Sequence, residues 1–196
     1  MARFLDHALL AHPALFYLAI AAWAIFSIYW DKAAKTAAPA ARTESRGSRA
    51  IHVILANAAL LLAAAPIHGL GRLFPVSPVV MAAGLALEAA GLALAIWARR
   101  HLGRNWSGKI SIKVEHELIR SGPYRLLRHP IYTGLLAMYT GLALVTGEWL
   151  AAIGWAMAIF AYARKVRMEE AVLAGAFAGQ YAGYRRGTWA LLPGIY

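Results

Sequence analysis

The stretch "SGPYRLLRHPIYTG" at 121–134 gathers two prolines, two glycines, two arginines, two tyrosines and a histidine. Gly122-Pro123 is a turn signal. Pro130 has no backbone N–H and suits the first turn of a helix. The residue before a proline is pushed toward extended backbone. His129 is therefore expected at the N-cap of a helix. A helix start with unpaired N–H groups attracts anions, and Arg125 and Arg128 add positive charge. Tyr132 and Gly134 fall in the first turns, where Gly134 permits another backbone or a ligand to approach closely. The blander reading of the same residues is a basic interfacial loop that leads into a proline-started helix.

A second constellation is "RKVRMEEAVLAGAFAGQYAGY". Glu169 and Glu170 stand together in a chain with only nine acidic residues. Glu170, Leu173, Phe177, Tyr181 and Tyr184 recur at spacings of three and four, which is one stripe of a helix. That stripe places an acid at one end of an aromatic and apolar face. Pairing of the acids with Arg164, Lys165 or Arg167 on a surface helix is the plainer account, and it leaves room for one carboxylate to work. The third stretch, "HLGRNWSGKISIKVEHELIRSGPY", alternates Ile110, Ile112 and Val114 with Ser111 and Lys113, a short extended pattern. His116 lies six residues before the Gly-Pro turn. Asn105, Trp106 and Ser107 suit the depth of lipid headgroups.

These residues must be positioned by apolar helices. Of 196 residues, 61% are hydrophobic, and the mean hydropathy is +0.53, well above an ordinary soluble domain. A spanning helix needs about 20 apolar residues, with about 17 as a lower limit. Five candidates follow, at 13–30, 50–70, 78–97, 130–147 and about 149–162. The last two form a hairpin joined by Gly147 and Glu148. Eighteen of the twenty Lys and Arg residues fall in the segments 31–49, 99–129 and beyond 163, leaving only Arg3 and Arg72 elsewhere. Five spans put all three rich segments on one face, which the positive-inside rule makes cytoplasmic, with the N-terminus outside. The formal charge of +11 is thus read as topology signal and contact with anionic lipid rather than nucleic-acid binding. The chain has no cysteine, which removes disulfides, a thiolate nucleophile and a Cys-zinc site. The first apolar segment is too long for a signal peptide, lacks a cleavage site, and is expected to stay as an anchor. The expected architecture is an all-α integral membrane protein of about five helices. Residues 1–98 hold three helices with a linker near 31–49. Residues 99–196 hold a cytoplasmic loop too long to be a passive connection, a hairpin at 130–164 and a C-terminal cytoplasmic helix.

The order H-x-L-I-x-S-G-P-Y-R-x-x-R-H-P-x-Y-x-G, then a short hairpin, an acid pair and F-x-x-x-Y-x-x-Y, resembles the isoprenylcysteine carboxyl methyltransferase family. Related membrane phospholipid N-methyltransferases share much of it. The resemblance covers roughly 102–193. It implies transfer of a methyl group from S-adenosyl-L-methionine without a Rossmann domain. In keeping with that, "GLGRLF" at Gly69 lacks the third glycine and the following strand of a dinucleotide fingerprint. By position, the resemblance implies a cofactor pocket lined by His116, Leu118, Gly122, Tyr124, Arg128, His129, Pro130, Tyr132 and Glu170. The cofactor carboxylate would meet the His129/Pro130 helix start, Glu170 the ribose hydroxyls, and Tyr124 and Leu118 the adenine. The acceptor implied first is an isoprenylcysteine-like carboxylate, ionised at neutral pH and needing a cation to orient it. The family carries an arginine one turn before the acid pair, but this chain has Lys165, flanked by Arg164 and Arg167. Lysine lacks the bidentate fork of arginine. A phospholipid amine acceptor would instead need a base, for which Glu169 or His129 is the candidate.

Two other classes compete. A sterol-reductase-type membrane enzyme would bind NADPH, but calls for more spans and a larger basic pocket. A non-enzymatic transporter or scaffold would use Asn57, His68 and Glu88 as a polar path, but these share no clear helix face. The scattered histidines form no metal-ligand motif, so no metal is expected. The expected partners are membrane lipids and a lipophilic substrate that enters from the bilayer. The alanine-rich, cysteine-free composition points to a GC-rich bacterium and hence its inner membrane.

Overall fold

The computed structural model describes residues 12–35, 40–65, 70–106, 111–113 and 118–194. Five long helices account for most of them: α1 (Pro13–Ala34), α2 (Arg46–Ala64), α3 (Pro78–Leu102), α4 (Pro130–Thr146) and α5 (Trp149–Arg186). Local chemistry sets their starts. Pro13, Pro78 and Pro130 each occupy the first helical turn, where a missing N–H costs nothing. The side chains of Ser45 and Ser77 accept hydrogen bonds from Ser48 and Val80 N–H, capping α2 and α3. The Ser45 cap lets α2 begin at Arg46, four residues earlier than apolar counting places it. The fifth span and the C-terminal helix, expected as separate elements, are one continuous helix of 38 residues. Gly175, Gly179 and Gly183 lie inside it without breaking it, because no proline accompanies them.

α1, α2 and α3 are each long and apolar enough to cross a membrane, and α4 is a shorter apolar helix. Their outward faces carry Leu18, Ile25, Ile28, Ile54, Leu61 and Val79, all well exposed. Lipid is the solvent that suits such a surface. The chain is an integral membrane protein, built almost wholly of helix.

The hairpin turn at Gly147 adopts left-handed backbone, φ +66°. Yet the closest helix pairs are not the two arms of that hairpin. α4 packs most intimately on α3, and α5 on α2. Small residues explain it, because they let membrane helices approach closely. A Cβ added at Gly91 would lie 2.4 Å from the Gly134 carbonyl oxygen, and one at Gly84 would lie 2.7 Å from that of Gly141. Likewise Gly154 of α5 faces the Ala59 carbonyl and Ala63 of α2.

A two-stranded antiparallel ladder joins β1 (Ala40–Thr43) to β2 (Ser111–Lys113). The extended alternation at 110–114 is thus a real strand over its described part, and it ties the 31–49 linker to the loop after α3. A short 3-10 turn, Gly122–Arg125, then leads into α4. The C-terminal segment folds back on this motif. Arg128 N–H donates to Trp189 O at 2.8 Å, His129 N–H to Ala190 O at 3.0 Å, and the Thr133 hydroxyl to Leu191 O at 2.7 Å.

Candidate functional site

His129 is the N-cap of α4, as the His-Pro pair predicts, but its side chain makes no capping hydrogen bond. Its ring turns toward the acid pair on α5 instead. Nδ1 lies 3.4 Å from Glu169 and Nε2 3.4 Å from Glu170. Arg128 Nε reaches Glu170 at 2.6 Å, with both side chains almost fully buried. Its Nη1 donates to the Thr188 and Arg185 carbonyls. The Tyr132 hydroxyl donates to Glu169 at 2.5 Å, and the Tyr132 ring stacks on His129 at 5.7 Å. Two stretches that lie forty residues apart in sequence thus form one buried polar cluster.

The charges of this cluster are mutually set. Burial alone would pull the His129 imidazole down, but hydrogen bonds and charge from Glu169 and Glu170 outweigh it and hold it above its ordinary value. Burial works against ionised Glu169, yet His129, Lys165 and Tyr132 keep it below the usual carboxylate range. Glu170 is pulled down to about 2 by His129 and Arg128, again against burial. Burial also pushes the Tyr124 phenol well above its usual value. These shifts all favour an imidazolium between two carboxylates.

A cavity of about 600 Å³ opens beside the cluster. Leu118, Tyr124, Arg128, His129, Tyr132, Lys165 and Glu169 all line it. Among the remaining positions singled out in sequence, Gly122, Pro130, Glu170, Arg164 and Arg167 do not reach its surface. Glu170 sits behind Arg128, which it anchors. Gly122 has φ +59°, and a Cβ there would lie 2.7 Å from the His101 ring, so only glycine fits the turn. His101 in turn bonds Ser121 at 2.8 Å and stacks on Tyr124. Pro130 is buried at the helix start. Arg164 donates to the Ser48 hydroxyl at 3.1 Å, and Arg167 is exposed. Lys165 Nζ lies 3.7 Å from Glu44 in the segment before α2. His116 and His68 lie outside the described residues.

The cavity also has walls that sequence reading missed. α1 supplies Phe26, Trp30 and Asp31, and α2 supplies Arg49, His52 and Asn57. Trp106, read as a headgroup-level belt residue, is buried and edges Trp30 at 5.4 Å. A stripe at 49, 52, 53, 56 and 57 on α2 was the available signal, since polar groups inside an apolar helix face the protein interior. Glu88, by contrast, is fully buried between α3 and α4, away from the cavity.

Fold and site together define a helical membrane protein with a buried polar cluster beside an aromatic cavity. Residues 79–180, more than half of the chain, match the family model described as Phospholipid methyltransferase, and the chain belongs to that family. It is 36% identical over 121 residues to the cobalt-zinc-cadmium resistance protein CzcN of Cupriavidus metallidurans, covering 60% of this chain and 51% of that protein. It is 30% identical over 84 residues to protein-S-isoprenylcysteine O-methyltransferase of Dictyostelium discoideum, covering 42% and 35%. It is 32% identical over 85 residues to form B of Arabidopsis thaliana, covering 42% and 43%. The matches thus span about half or less of these relatives' lengths. The fold is similar to that of the eukaryotic intramembrane Ras methyltransferase (isoprenylcysteine carboxyl methyltransferase), with a TM-score of 0.54 at 18% identity over 78% of this chain and 54% of that one.

Proposed function

We propose that this chain is a membrane-embedded methyltransferase that uses S-adenosyl-L-methionine to methylate a lipophilic acceptor. The observation that carries the reading is the meeting of Leu118, Tyr124, Arg128, His129, Tyr132 and Glu169 around one cavity. Its volume suits a cofactor-sized ligand, and its donor set suits this one. Arg128 and His129 offer positive charge to a carboxylate. Glu169 offers acceptor oxygens to ribose hydroxyls or an amino group. Leu118 and Tyr124 offer apolar and aromatic surface to a purine, and the Tyr132 and Tyr162 rings offer π faces to a sulfonium. Glu170 is held by Arg128 and positions it, which passes the ribose role to Glu169. When bound, the cofactor supplies a methyl carbon on a positively charged sulfur that leaves readily. The protein's task is then alignment and exclusion of water. The buried Tyr162 and Trp106 and the half-buried Tyr132 around the cavity serve both.

The acceptor's apolar body would lie against Phe26, Trp30 and Trp106. In this reading α4 and α5 complete five spans, the polar cluster faces the cytoplasm, the N-terminus lies outside, and the membrane is a bacterial inner membrane. Purified protein in detergent should bind S-adenosylhomocysteine by calorimetry and should not bind NADPH. His129→Ala should lower that affinity at least tenfold. Binding of NADPH without the homocysteine adduct would overturn the proposal in favour of a reductase.

A further inference from the structure

Residues 187–192 fold back along the start of α4 as a strap. Trp189 N–H donates to Leu126 O at 3.1 Å, and Arg128 and His129 N–H donate to Trp189 O and Ala190 O. The Thr133 hydroxyl, in the first turn of α4, holds Leu191 O. At the root of the strap the Tyr184 hydroxyl donates to Tyr124 O at 2.6 Å, and the Thr188 hydroxyl bonds back to Tyr184 O at 2.7 Å. The inner side of the strap is apolar, with Ala190 and Leu191 packed on Val166, Tyr132 and Leu136. The two residues that bring positive charge to the cavity, Arg128 and His129, are thus held in place by this one short segment.

The outer side of the strap is poorly suited to water. Trp189 is 41% exposed, Leu192 49% and the adjoining Leu126 59%. Arg120, Arg125, Arg185 and Arg186 are exposed around them, whereas no acidic residue in the segment 118–194 is exposed. Tryptophan and leucine ringed by arginine make an interfacial surface, whose apolar groups sink between headgroups while the cations meet anionic lipid. Depth points the same way. Leu192 directly follows the carbonyl that Thr133 holds, so in the five-span placement the patch lies at the level of the cytoplasmic headgroups. That position suits lipid better than an acidic protein.

We propose that the Leu126/Trp189/Leu192 patch docks on the anionic cytoplasmic lipid surface, and that docking steadies Arg128 and His129 at the cavity. The docking rests on the five-span placement and not on methyl transfer. Opening the strap would lift Trp189 and Leu192 out of the headgroups, so whatever favours docking also favours the closed strap, and to the same degree. Headgroup charge then regulates the order of the polar cluster, although no lipid need enter the cavity.

The test places full-length protein in nanodiscs of phosphatidylcholine, alone or mixed with phosphatidylglycerol, and follows amide hydrogen exchange by mass spectrometry. Exchange in the segments that carry the Arg128, His129 and Trp189 amides should slow at least about fivefold with the anionic lipid, the worth of one arginine at such a surface. Exchange in α1, α2 and α3 should not change. High salt should erase the difference. So should Arg125→Gln combined with Arg186→Gln, and so should Leu126→Ser combined with Leu192→Ser, because these exposed side chains leave the strap's backbone bonds in place. Equal exchange in the two lipids, a slowing spread evenly over the chain, or a slowing that survives either pair of substitutions would overturn the proposal. Affinity for S-adenosylhomocysteine in the same nanodiscs should rise at least about fivefold with phosphatidylglycerol. Unchanged affinity beside slowed exchange would overturn the link from strap to cavity. Absence of S-adenosylhomocysteine binding in both lipids would refute methyl transfer, and the exchange result would still decide the docking.

Discussion

Arg128→Met tests the claim that the acid pair and the histidine motif are held together by one buried guanidinium. The substitution keeps most of the side-chain volume but removes the 2.6 Å contact to Glu170. It also removes the donations to Arg185 O and Thr188 O that fasten the C-terminal segment. Breaking a buried pair from one side costs about 3–5 kcal/mol, because the orphaned charge stays buried. Glu170 would keep His129 at 3.4 Å and Arg185 at 3.8 Å. Arg185 is 61% exposed, so its screened charge compensates only weakly. The low end of that range, about 3 kcal/mol, is therefore expected. For a chain of this length each kcal/mol moves Tm by about 2–4 °C, so the loss is about 6–12 °C. Thermal unfolding in detergent, followed by tryptophan fluorescence, reads it directly. The double variant R128M/E170M removes both charges and should recover about half of the loss or more. A shift below about 2 °C, or a double variant no more stable than the single, would refute the view that the pair clamps the site.

Acid and alkali should destabilise the protein for separate reasons. Glu170 ionises in the folded state at about 2 against an ordinary value of 4.5. Its contribution is full above pH 4.5 and is lost as pH falls through about 2. His129 is raised above 6.5, so its contribution is full below pH 6.5 and is lost as pH rises through its folded value. Tm should fall on both sides of about pH 5–6, and His129→Gln should flatten the alkaline side. A Tm that stays level in wild type from pH 6 to 9 would contradict the imidazolium assignment. Gly91→Ala should cost about 1–3 kcal/mol, since the new methyl would lie 2.4 Å from the Gly134 carbonyl. Gly175→Ala, with open space at its Cβ, should be neutral or slightly stabilising. Equal Tm values for the two would show that α3 and α4 do not touch as described.

Helix positions were largely legible because lipid demands long apolar runs, and prolines mark where three of them begin. The His129 N-cap and the buried Glu170, Tyr181 and Tyr184 stripe follow from spacing alone. Helix pairing was not legible. The two-residue link at Gly147 suggests that α4 and α5 embrace each other, whereas close approach is decided by which glycines face which carbonyls. The length of α5 was hidden because hydropathy falls after Tyr162 although nothing there stops a helix. At the site, motif residues marked one wall. Arg49 and His52 escaped notice because a polar residue in an apolar helix says that it faces inward, not what it faces. Which glutamate reaches the cavity was equally invisible. Adjacent residues on a helix point about 100° apart, and only Arg128 decides that Glu170 is the one turned away.

The unbroken 38-residue α5 has a consequence for lipid. At 1.5 Å per residue it is about 57 Å long, nearly twice the hydrocarbon thickness of about 30 Å. From Trp149 to Glu169 is twenty residues, about 30 Å. In the five-span reading, with Trp149 at one interface, the rod delivers the acid pair to the opposite one. It then behaves as a gauge of bilayer thickness. Lipids with longer chains would draw the carboxylates toward oil, and shorter chains would push them toward water. Acyl-chain length would thus tune the site with no residue changed.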